Sequence, residues 1–95
     1  MNIIINVQSP QNGQLEKFAD MVKNMENELG VKVLRANLTS YKGVILAHRK
    51  SDDSFIVWNS FYHGEHSVRS YDGFSSGEYG LTLEQAITVF KSRTK

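Results

Sequence analysis

The sequence has no cysteine, which removes disulfides and thiolate metal sites together. It has no apolar run long enough to span a membrane and no signal-type h-region, so the expectation is a cytoplasmic protein with no membrane contact. A surplus of charge of either sign is also missing, the formal net charge being +1. That balance argues against an acidic DNA mimic and against the electrostatic footprint of a dedicated nucleic-acid binder, leaving room only for a local basic patch. No Gly-rich phosphate loop precedes a helix, no GxSxG elbow or HExxH occurs, and no nucleophile has a recognisable base beside it. No cofactor and no catalytic residue is therefore expected, and the chain reads as a binding protein rather than an enzyme.

What is present is concentrated between Tyr41 and Tyr71, a stretch that holds the only tryptophan, Trp58, and all three histidines. Val44-Ile45-Leu46-Ala47-His48-Arg49 and Phe55-Ile56-Val57-Trp58-Asn59-Ser60-Phe61 crowd β-branched and aromatic residues into short runs, the signature of strands. Ser51-Asp52-Asp53-Ser54 predicts the hairpin turn between them, because short Asp and Ser side chains bond their own backbone where ladder bonds are lost. A looser turn is expected at His63-Gly64-Glu65-His66, ahead of a further strand that ends at Tyr71.

Around this meander, Asn2–Val7 reads as a buried strand. Ser9 and Pro10, or Asn12, mark a helix start that Gly13 weakens. Leu15, Phe18, Val22, Met25 and Leu29 then form an apolar stripe at alternating spacings of three and four, with Gly30 placed to close the helix. The stripe is too short for a coiled coil and predicts core packing, with dimerisation through this face as the other reading. Val31–Ala36 alternates like a second strand, parallel to the first if both join one sheet, and 37–40 is expected to be a loop. Asp72–Gly77 has loop composition, with a short strand at Glu78–Gly80. Thr82 with Gln85 three residues later has capping-box spacing, and Leu83, Ala86, Ile87 and Phe90 share one face of the helix that follows. The expected architecture is one α+β domain over residues 1–95. A mainly antiparallel sheet of four to five strands packs against two helices in the order β-α-β-β-β-β-α, and Leu15, Phe18, Val22, Ile87 and Phe90 are buried on it.

Two constellations offer function. His63 and His66, with Asp72 or Glu78, have the reach to hold one metal ion, but structural sites take four protein ligands and a polar glycine hairpin is common without metal, so no metal site is expected. Strict alternation puts Trp58 and Tyr62 opposite Phe55, Val57 and Phe61. If those three face the core, Trp58 and Tyr62 lie on an outer face, with Arg49 and Arg69 on neighbouring strands. Trp, Tyr and Arg dominate protein hot spots, and aromatics between arginines also stack bases. The competing reading is a second helix over that face, which makes Trp58 core. The order of three strands and a helix is similar to that of small sheet-based DNA-binding modules and, with the first helix included, to the double-stranded-RNA-binding fold over Leu15–Arg93. The likeness is one of element order, and Leu83-Glu84-Gln85 carries an acid where the RNA-binding fold has a basic cluster. The sequence thus predicts a small accessory or regulatory protein, monomer or homodimer. It acts through protein contacts at Arg49, Trp58, Tyr62 and Arg69, with nucleic acid on the same sheet face as the alternative.

Overall fold

The structure is a computed structural model that describes residues 4–7, 13–39, 41–63 and 70–94. Strand β1 (Ile4–Val7) lies parallel to β2 (Val31–Leu38), and helix α1 (Gln14–Leu29) is the crossover between them. From β2 the sheet continues antiparallel through β3 (Lys42–Arg49) and β4 (Ser54–His63). The far edge of β4 is covered by two short strands in line, β5 (Ser70–Tyr71) opposite Tyr62 and His63, and β6 (Ser75–Leu81) opposite Phe55–Asn59. Helix α2 (Leu83–Arg93) closes the chain. The α+β class, the mainly antiparallel sheet and the two helices are those the sequence predicts.

The helices lie on opposite faces of the sheet, so there are two cores. On the α1 face Phe18 and Val22 pack with Val33, Ala36, Leu38, Ile45, Ala47, Ile56 and Trp58. On the α2 face a smaller cluster joins Ala86 and Phe90 to Val44, Leu46 and Val57. Alternation explains the division, since successive residues of β3 and β4 point to opposite sides and both sides are apolar.

Local chemistry sets the ends of the elements. Helix α1 starts from Gly13, whose φ of 76° is open to glycine, with no side-chain cap. Its first residue, Gln14, is fully buried instead, and its Nε2 donates to the Thr39 carbonyl at 2.6 Å and the Tyr71 hydroxyl at 3.0 Å. This anchors the helix start to the sheet in place of a cap, which corrects the reading of Gly13 as merely weakening. Ser9, Pro10 and Asn12 lie outside the described residues. Gly30 ends α1 in the left-handed conformation, and Thr82 and Gln85 form the full capping box of α2. In the hairpin turn the Asp52 carboxylate accepts from the Ser54 backbone N–H and hydroxyl, as expected of an Asx turn.

Three expectations are corrected. Asn37 and Leu38 belong to β2, where they pair with Val44 and Gly43. Leu15, Leu29 and Leu83 are exposed, because each helix buries a narrower stripe than its apolar spacing suggests. The second half of Asp72–Gly77, from Ser75 on, joins an edge strand. Between Leu81 and Glu78, and again between Glu78 and Ser75, β6 spends one residue more than β4 does. A left-handed residue falls in each step, Gly80 at φ 68° and Ser76 at φ 53°, and Gly73 at φ 89° does the same between β6 and β5. The two steps within β6 are bulges, which twist and blunt an edge strand.

Candidate docking surface

Of the four residues expected to form a working face, the structure describes Arg49, Trp58 and Tyr62, and the two aromatics are buried. Trp58 and Tyr62 do share a face, opposite Phe55, Val57 and Phe61, but it is the face that α1 and the β5–β6 edge cover. Each is only 3% exposed. The Trp58 indole lies against the Phe74 ring at 4.8 Å, and its Nε1 donates to the Tyr79 hydroxyl at 2.9 Å. Tyr62 packs on Tyr71, whose ring meets Phe18 edge-on. Both aromatics are core, so their exposure, and with it their availability as partner contacts, is the expectation that burial overturns. Arg49 turns back on the hairpin, forking onto Asp52 through Nε at 3.1 Å and Nη2 at 2.7 Å. Hydrogen bonds from Arg49 and then Ser54 hold the Asp52 carboxyl well below the usual carboxylate range, and the same contact with Asp52 raises Arg49. Arg69 lies outside the described residues, as does His66; His63 ends β4 and is exposed. Among the described residues no three His, Cys, Asp or Glu side chains group as metal ligands.

The open surface is on the other side of the sheet. Helix α2 packs on β3, β4 and β6 and does not reach β2, and its core takes no side chain from β2. No described helix therefore covers the polar half of β2. Register fixes which side chains stand there: Lys32 is opposite His48, Arg35 opposite Leu46 and Asn37 opposite Val44, and Leu46 and Val44 belong to the α2 core. A register shift between Val33 and Arg35 keeps both Val33 and Ala36 on the buried side while Lys32, Arg35 and Asn37 stay on the open one. Lys42 and Phe61 pair across β3 and β4 beyond the C-terminal end of α2, where Arg93 reaches Asn59, and Phe61 is 38% exposed.

This strip is cationic. Lys32, Arg35 and Lys42 have no ion pair with a described residue, and the nearby acids of the hairpin are already engaged, Asp52 by Arg49 and Asp53 by His48 at 2.7 Å. At the hairpin end Lys32, His48 and Lys50 line a shallow depression with Gly30 and Val31. Many of the acidic side chains, Glu16, Asp20, Glu26 and Glu28, are on α1, across the sheet. Helix α1 also carries Lys17 and Lys23. The polar positions of β2 were visible in the sequence as the alternation Val31-Lys32-Val33; that no helix covers them was not.

Among the described residues no helix is long and apolar enough to cross a membrane. Compared with protein-family models, curated proteins and solved structures, the chain matches none.

Proposed function

We propose that this chain is a non-catalytic, cytoplasmic accessory or regulatory module that docks on an acidic surface of a larger protein through the open half of its α2 face. The observation that carries the reading is the row Lys32, Arg35 and Lys42, cations with no described ion-pair partner on a part of the sheet that no described helix covers, beside the exposed ring of Phe61. Unpaired like charges on one face repel each other, and an acidic partner relieves that repulsion and steers association. The exposed Phe61 ring supplies apolar area of the kind such contacts bury at their centre. The displaced pKa values of Asp52, Arg49 and Tyr71 have structural causes within the hairpin and the α1 core, so none of them calls for a catalytic role.

A second reading rests on one pair. Phe61 stands directly across from Lys42 on an open sheet, and a ring beside a cation suits a stacked base with its phosphate. The double variant Arg35→Glu with Lys42→Glu separates the two. On the proposed reading, immobilised wild-type protein captures a partner protein that survives nuclease and is lost with the double variant. Capture abolished by nuclease, or single-stranded DNA binding that weakens steeply with salt, establishes the second reading. Capture unchanged by the charge reversals removes this surface from both.

A further inference from the structure

The depression at the hairpin end of the open face draws its nitrogen-bearing side chains from three segments: Lys32 from β2, His48 from β3 and Lys50 from the turn that follows β3. Register sets Lys32 directly opposite His48. Lys32 and Lys50 are both exposed, so solvent reaches the two ammonium groups. Gly30, which also lines the depression, has no side chain to fill it, and a Cβ built there would meet nothing within 4 Å.

No acid lines the depression. The two hairpin carboxylates are committed, Asp52 to the Arg49 fork and the Ser54 hydroxyl, and Asp53 to His48 Nε2. Neither Lys32 nor Lys50 has an ion pair with a described residue. Cationic groups gathered across neighbouring strands repel each other, and a bound anion turns that repulsion into attraction. Two full positive charges beside an imidazole match a doubly charged group better than a single carboxylate. A phosphate monoester supplies about −1.5 to −2 charge at pH 7 with three strong acceptor oxygens. A nucleic-acid backbone offers only a single charge per phosphate.

We infer that the depression is a phosphate-monoester subsite, and that the acidic partner seats a phosphorylated serine or threonine between Lys32 and Lys50 beside His48. The inference rests on the docking reading, because Lys32 belongs both to the docking strip and to the depression. The phosphate then stands at one end of the acidic surface that Arg35 and Lys42 meet, and it anchors the register of the contact.

Fluorescence anisotropy of the full chain with two labelled peptides tests this. Both are acidic runs of glutamate and glycine, one with a central phosphoserine and the other with glutamate in its place. The phosphopeptide should bind about tenfold more tightly than its glutamate twin, the gain expected of charge-assisted hydrogen bonds to a dianion. That preference should vanish in Lys32→Gln with Lys50→Gln, two exposed positions, with circular dichroism unchanged. Lys50→Gln alone, outside the docking strip, should reduce it and decides the matter if the double variant misfolds. Equal affinity for the two peptides, binding of neither, or a preference that survives loss of both lysines overturns the inference. Arg35→Glu with Lys42→Glu should weaken both peptides while the preference stays. If both affinities ignore those reversals and the preference holds, the docking reading alone fails, so the two failures are separable.

Discussion

Gly77→Ala tests the burial of Trp58 most directly. Strand β6 crosses the indole at Gly77, where an added Cβ would sit 2.6 Å from Trp58 Nε1, 2.7 Å from its Cδ1 and 2.7 Å from Tyr79 Cε1. Carbon contacts relax at about 3.5–4.0 Å, so the methyl needs roughly 1 Å of movement from rings on two sides. Trp58 has little room to give, being 3% exposed, packed on Phe74 and hydrogen-bonded to Tyr79. Over-packing of this kind costs about 1–3 kcal/mol, and loss of the indole hydrogen bond adds roughly 0.5–1.5 kcal/mol. In a domain this small each kcal/mol lowers Tm by about 4–8 °C, so a fall of roughly 10–30 °C is expected. Thermal melts followed through Trp58, the sole tryptophan, give Tm and emission maximum together, and the emission should shift red as the indole is displaced toward water. Gly80→Ala is the control: its Cβ meets open space while its φ is 68°, so it should lose only the backbone cost of about 1–2 kcal/mol and keep the wild-type emission. If Gly77→Ala melts with wild type and emits at the same wavelength, β6 does not cover the indole.

Three further outcomes are expected. Phe90→Ala empties the centre of the α2 core and should cost about 3–5 kcal/mol by urea denaturation; an unchanged midpoint would show that α2 does not dock. Thr82→Ala removes the side-chain acceptor for the Gln85 N–H at 3.1 Å and should cost about 1 kcal/mol, and a stability equal to wild type would deny the cap its role. Burial pushes the Tyr71 phenol up to about 12 from 10.0; the unfolded phenol ionises first, so stability held below about pH 10 is lost between there and pH 12. Tyr71→Phe should flatten that limb, and an equally steep loss in the variant would refute the assignment.

Much of this architecture was legible because its signals are local. The capping box at Thr82 and Gln85, the left-handed stop at Gly30 and the Asx turn at Asp52 each depend on a few neighbouring residues, and each appears as expected. Long-range pairing is where local signals mislead. Gly73, Ser75, Ser76 and Gly77 lend Asp72–Gly77 the composition of a loop, yet its second half begins β6, where left-handed Ser76 and Gly80 let a bulged strand follow β4. Glycine spaced at intervals through a strand-length segment is as much a mark of bulges as of a loop. The buried Gln14 had no sequence signal at all, because its acceptors are distant, at Thr39 and Tyr71.

The misplaced working face has a sharper cause. Alternation fixes which side chains share a side of a strand, and it correctly sets Trp58 and Tyr62 against Phe55, Val57 and Phe61; it does not say which side a helix covers. That second question has its own signal. Val44-Ile45-Leu46-Ala47 and Phe55-Ile56-Val57-Trp58 are continuously apolar, as a strand buried on both faces must be, and both strands lie between α1 and α2. Val31-Lys32-Val33 alternates, as a strand buried on one face must, and β2 has α1 on one side and no helix on the other. Continuous strands beside an alternating one therefore locate the open surface from residue order alone: it is the polar side of the alternating strand, where Lys32, Arg35 and Asn37 stand.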